Sequence, residues 1–179
     1  MPRTRPEIER DEKVGEIVQA AERRLRDGGY EALSVAGIAR ELGLAQNAIY
    51  WYFPSKDHLF VAAMEGILGQ IAARKPKGEV DVVERILWFT DQFAEVFDLR
   101  GAMYEQARRS EVVAEFAERL DGALDRMLSH ALEAHVPAEE LPVAVAAFRA
   151  TAQGAYVQGL DRKARRRVLS FALDRLMKG

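Results

Sequence analysis

Apolar residues along this chain recur every three or four positions, and no segment alternates with period two for long enough to make a convincing strand. The first stripe, Val14, Ile17, Val18, Ala21 and Leu25, predicts a helix running to about Asp27 and stopped by Gly28-Gly29. Tyr30 and Leu33 should then close a small core. Val35, Ile38, Ala39 and Leu42 stand at i, i+3, i+4 and i+7, one face of a short second helix. Ser34 precedes that face as a hydroxyl cap, and Gly43 follows it as a left-handed stop, with Leu44 as an apolar plug. A third helix is expected over Ala45–Phe53, ended by Pro54, and Ser55 can cap a long fourth one.

The third helix divides unevenly. Ala45, Ala48, Ile49, Tyr52 and Phe53 lie on or near one side, suited to packing on the second helix. Gln46, Asn47, Tyr50 and Trp51 lie on the other, and nothing within the helix buries them. Amides pair with base edges, and aromatic rings meet thymine methyls or the sugar-phosphate wall. A short helix with such a face after a glycine turn is the helix-turn-helix arrangement. Lys56 falls where a phosphate can be gripped.

Downstream, Leu59, Phe60, Ala63, Met64, Ile67 and Leu68 predict a connector helix ending at Lys75-Pro76-Lys77-Gly78. Further helices are expected over Val80 to about Asp98, then Ala102–Arg109 after a break at Gly101, then Glu111 to about Ala134. Val136-Pro137 breaks that one, and Glu139–Leu160 and Asp161–Lys178 complete an all-α fold of about nine helices. Residues 1–10 read as a charged arm.

Composition narrows the chemistry. The chain has 179 residues and no cysteine, so it can bury a core without disulfides and offers no thiolate. With neither a signal-type run nor a membrane-length apolar stretch at this level of reading, a cytoplasmic protein is the default expectation. His58, His130 and His135 are scattered, and no metal-ligand spacing or catalytic motif accompanies them. No catalytic residue, metal or cofactor is therefore expected. The formal net charge is −2, and residues 1–60 hold nine Lys or Arg against ten Asp or Glu. That near-neutral balance keeps open a helical interaction or small-molecule-binding module without operator binding, because phosphate neutralisation normally carries much of the affinity for DNA. Arg3, Arg5, Arg10, Lys13 and Lys56 are the cations placed to offset it.

Gly29-Tyr30, Leu33-Ser34, Ile38-Ala39, Leu42-Gly43, Tyr50-Trp51-Tyr52-Phe53, Ser55-Lys56 and Leu59-Phe60 together resemble the DNA-binding domain of the TetR family of bacterial transcriptional regulators. The likeness covers about the first third of the chain. It departs at Ala36 and Gly37, where the family often presents larger or charged groups to DNA. The resemblance implies a head over residues 1–55 and a helical ligand-binding and dimerisation domain over 56–179. It implies DNA contacts from Ser34, Gln46, Asn47, Tyr50, Trp51, Tyr52 and Lys56.

The resemblance also gives the middle aromatics a second reading beside simple core: a mostly apolar cavity for a small effector. Its candidates are Trp88, Phe89, Thr90, Phe93, Met103, Tyr104, Gln153 and Tyr156. Small residues recur on the penultimate helix, and the last helix is apolar around a wide arc. Since the family pairs its last two helices as a four-helix bundle, Ala147, Thr151, Gly154, Ala155, Val168, Phe171 and Ala172 are expected in a homodimer interface. The basic run Lys163, Arg165, Arg166 and Arg167 reads as a solvated face or interface rim.

Overall fold

The computed structural model describes residues 5–94 and 96–178. Among the described residues there are nine helices and no strand: α1 Arg5–Ala32, α2 Val35–Glu41, α3 Gln46–Tyr52, α4 Lys56–Ala73, α5 Val82–Ala94, α6 Phe97–Ala107, α7 Glu111–Leu132, α8 Leu141–Val157 and α9 Arg162–Lys178. None of them is long and apolar enough to cross a membrane.

Three boundaries differ from the sequence reading. The first helix begins at Arg5, so Arg5 and Arg10 lie on α1 rather than in an arm, while Arg3 lies outside the described residues. Gly101 does not break the chain: it lies inside α6, whose Leu99 and Met103 are buried four residues apart. A glycine inside a helix costs only about 1 kcal/mol, less than that packing returns. The break falls instead after Ala94, without a proline or glycine to mark it. After Val136, residues 137–140 form a turn, with Glu140 N–H donating to Pro137 O at 3.0 Å, and α8 starts only at Leu141. The break at Gly28-Gly29 stands as expected, Gly29 adopting φ 67°.

The chain packs as two compact units: residues up to Arg74 with Asp98–Ala117, and Lys75–Phe97 with Glu118 onward. In the first, α1 lies along α4 and α2 packs on α3. Ile17, Leu25, Ile38, Ile49, Phe60 and Met64 are wholly or almost wholly buried there. Each such side chain contributes roughly 1.5–3 kcal/mol by leaving water.

A buried polar contact fixes α1 against α4. Glu22 is 5% exposed, and its carboxylate accepts from Gln70 Nε2 at 2.6 Å and pairs with Arg26. It sits over Gly66, where an added Cβ would meet Glu22 Oε1 at 2.1 Å. Gly66→Ala must therefore displace the carboxylate. Breaking the charged hydrogen bond costs about 1.5–3 kcal/mol, which outweighs the roughly 1 kcal/mol gained in helix propensity. We expect a net loss of about 0.5–2 kcal/mol by urea denaturation, removed when Glu22→Ala is combined with it. Additive effects of the two changes would show that the carboxylate does not hold this contact.

In the second unit α9 packs on both α5 and α8. Its core gathers Ile86, Leu87, Leu132, Phe148, Leu169 and Leu173, all 2% exposed or less. Asp81 and Asp161 cap α5 and α9, each carboxylate accepting from backbone N–H groups two or three residues on.

Candidate nucleic-acid interface

The head is built by local rules. Ser34 Oγ accepts from Gly37 N–H at 3.1 Å and starts α2. Its hydroxyl proton remains available to donate. At the other end of α2, Gly43 has φ 65°, Leu44 N–H donates to Ala39 O at 2.8 Å and Gly43 N–H to Arg40 O at 3.4 Å. That is the Schellman pattern, which aims the chain sharply into α3.

The α3 turn presents two different faces. Ile49 is fully buried and Phe53 nearly so, while Gln46 and Asn47 are exposed, Tyr50 is 40% exposed and Trp51 85%. An indole that far into solvent has no packing role within the protomer. Asn47, Tyr50 and Trp51 line an open notch on this surface. Tyr52 is half-buried. Ala45, expected on the packing side, is exposed, because it sits in extended conformation at the helix boundary (ψ 141°).

Lys56 is already engaged: its Nζ lies 4.0 Å from the centroid of the Tyr30 ring. Tyr30 in turn donates to Asp57 Oδ1 at 2.5 Å and meets Phe60 edge-on with centroids 5.1 Å apart. Burial, then the bond to Asp57, pushes the Tyr30 phenol above its ordinary range. Ser55 caps α4 by accepting from His58 N–H at 3.3 Å. The sequence marked Tyr30 as a core residue; its bond to Asp57 is a contact that sequence reasoning missed. Glu41 joins α2 to α1 by taking Arg23 at 2.8 Å and Arg24 at 3.0 Å. Hydrogen bonds from Arg23 and then Arg24 hold its carboxyl below the usual range.

The effector candidates fall in both units. Met103 is fully buried and Tyr104 38% exposed in the first unit, with Tyr104 accepting from Arg100 at 2.8 Å. In the second unit Trp88 and Phe89 meet edge to face, their centroids 5.0 Å apart, and Phe93 is half-buried. Tyr156 stacks on Phe97 and donates to Thr90 O, and Thr90 donates to Leu87 O at 2.8 Å. Gln153 lies apart from these: it is exposed on α8, in an open groove with Asp125, Arg149 and Ala150.

Of the pairing candidates, Phe171 is 64% and Val168 40% exposed, and Ala147 is exposed. Thr151, Gly154 and Ala172 are half-buried, while Ala155 is 3% exposed and already inside the protomer core. Val143 at 70% and Val157 at 69% are large exposed residues that the sequence reading did not select. Their spacing with Ala147, Ala150 and Gly154, four then three repeatedly, is the signal that finds them.

The basic run is a solvated face only in part: Lys163 and Arg167 are exposed, but Arg165 and Arg166 turn inward. Arg165 is 8% exposed, and the buried Asp91 carboxylate takes Arg166 at 2.8 Å, Arg162 at 3.0 Å and Arg165 at 3.6 Å. Arg165 also lies 4.8 Å over the Tyr156 ring. Its burial follows from a carboxylate that only the fold brings near.

A capped α2, a glycine turn and an α3 with a bare amide-and-indole face make the first unit a helix-turn-helix DNA-binding head. Residues 17–63 match the family model for bacterial regulatory proteins of the tetR family. The HTH-type transcriptional regulator BetI of Rhizobium meliloti is 30% identical over 152 residues, 79% of this chain and 75% of that protein. The chain belongs to the TetR family of bacterial transcriptional regulators, which bind DNA and are not enzymes. Several other curated relatives are matched along only about half of their own length. Among solved structures, a transcriptional regulator from Rhodococcus sp. Rha1 superposes with a TM-score of 0.75 at 18% identity, covering 91% of this chain and 95% of that one. A transcriptional regulator from Saccharomonospora viridis in complex with choline gives 0.71 at 14% identity, covering 92% and 95%. At these identities the likeness is one of fold.

Proposed function

We propose that this chain is a cytoplasmic, ligand-responsive repressor that binds a near-palindromic operator as a homodimer. The observation that carries it is the α3 surface, where Gln46, Asn47 and Trp51 stand in solvent beside a rigidly capped turn. In this reading each protomer lays α3 in a major groove, the two copies roughly one helical turn apart, ~34 Å or somewhat more. Gln46 and Asn47 contact base edges and Trp51 a thymine methyl. Tyr50, Tyr52, Ser34 and Lys56 hold phosphates.

The second copy pairs through α8 and α9. Val143, Ala147, Ala150, Gly154 and Val157 on α8, with Val168, Phe171 and Arg175 on α9, follow the alternating three-and-four spacing of helices that pack on helices. Exposed Val143, Val157, Val168 and Phe171 supply the apolar surface that pairing covers.

The effector is a small, largely apolar molecule held by residues 56–179, with the aromatics around Trp88, Phe93 and Tyr156 as its site. The choline complex of a fold neighbour supports a small-molecule response. Such a ligand acts only through its different affinity for dimers whose heads suit the operator and dimers whose heads do not.

A gel shift against the DNA upstream of the gene tests this, run beside sedimentation of wild type and Phe171→Asp. Wild type should sediment as a dimer and give a specific shift. The charged variant should lose about 2 kcal/mol or more of pairing energy, roughly thirty-fold in dissociation constant, and with it the shift. A monomeric variant that still shifts the fragment as wild type does would overturn the dimeric reading. A wild type without any specific shift would favour the interaction module instead.

A further inference from the structure

The head has the problem of a DNA-binding surface with little spare positive charge. Among the described residues of the head most cations are committed. Lys13 pairs with Glu16 at 2.5 Å, Arg23 and Arg24 share Glu41, and Arg26 is held by Glu22 and Gln70, while Lys56 rests on the Tyr30 ring with its ammonium unpaired by any carboxylate of the described residues. Arg40 is different. It is exposed and no carboxylate, carbonyl or ring of the described residues engages it. It also stands at a defined place: on α2, four residues after the exposed Ala36, so the two share a face about 6 Å apart along the axis.

The neighbouring α2 positions offer no charge to a phosphate. Ala36 has none, and Gly37 cannot carry a side chain without displacing Arg24, whose Nη1 would lie 2.9 Å from its Cβ. In helix-turn-helix docking the helix before the recognition helix crosses the DNA backbone. A guanidinium on that helix, free of partners, is placed to fork onto a phosphate, for which its planar donors are suited.

We propose that Arg40 is a phosphate-contacting residue of α2, supplying the backbone grip that Ala36 and Gly37 lack. The proposal rests on the DNA-binding reading of the head and adds one residue and one interaction type to it. The contact is sequence-independent: it contributes affinity and orientation, not base choice.

The test is the salt dependence of binding by the full-length chain, measured by fluorescence anisotropy on two labelled 30-base-pair duplexes, one from the upstream DNA and one of random sequence. Arg40→Ala should lower the slope of log K against log salt by about one for each phosphate it leaves without a cation, on both duplexes. Arg40→Lys should retain most of the slope. Arg85→Ala, an exposed arginine of α5, serves as a charge-matched control and should leave it unchanged. A role confined to the α2 dipole, since Arg40 is in its last turn, would change the melting temperature and leave the slope alone. An Arg40→Ala slope equal to wild type overturns the proposal by itself, as does an equal fall with Arg85→Ala. A wild type that binds neither duplex at low salt overturns the DNA-binding reading and this proposal with it.

Discussion

Alanine at both Gln46 and Asn47 is expected to abolish sequence preference while leaving the fold and the non-specific affinity in place. Both side chains are exposed on α3, so their removal should move the melting temperature little. Each bidentate base contact discriminates by about 1–3 kcal/mol, so the pair accounts for on the order of 2–6 kcal/mol per half-site. The proposed phosphate contacts do not include these two side chains, so binding to a random duplex at low salt should persist. The measurement is competition between the upstream fragment and random DNA. A double variant that still prefers the fragment would move base reading away from the start of α3.

Asp91→Ala should have the largest effect on stability. The carboxylate is 5% exposed and balances Arg165, itself 9% exposed at the side chain, together with Arg162 and Arg166. Hydrogen bonds to Asp91 and then Glu84 hold the Arg166 guanidinium above its ordinary range, the sign of a strongly favoured cation. Removing the aspartate leaves a buried guanidinium uncompensated, which costs about 3–5 kcal/mol. For a chain of this size that corresponds to roughly 6–20 °C in melting temperature. Because α9 also carries Val168 and Phe171, the proposed pairing should weaken in parallel. Asp91→Leu with Arg165→Met should lose less than Asp91→Ala alone, since it removes the stranded charge. A single variant within about 1 kcal/mol of wild type would show that water, not Asp91, balances these arginines.

The head could be read in advance because its instructions are short-range. Ser34, Gly43 and Ser55 each act on backbone groups within a few residues, and the spacing of Val35, Ile38 and Ala39 fixes which side of α2 is buried. The outward side of α3 followed from the same arithmetic, and its side chains are indeed exposed. Whether they touch DNA as assigned is a matter for the binding measurements above.

What the sequence concealed depends on distant partners. Arg165 looked like one more surface cation because nothing nearby announces Asp91. Ala155 and Ala147 are equally small, and only the packing of α9 on α8 decides that the first is interior and the second exposed. Gly101 was over-read for a related reason: a glycine is a weak stop when the residues around it have a core to fill, and the true interruption after Ala94 carries no special residue. Arg40 was legible in principle, one turn beyond Ala36, but its lack of a partner is a property of the folded head.

The bolts between α1 and α4, Tyr30 on Asp57 at one end and Glu22 on Gln70 at the other, have a consequence for control. With both in place α1 and α4 move as one piece. In the proposed dimer a signal arriving along α4 would therefore carry α1 with it, altering the gauge between two half-sites rather than the fit to either one.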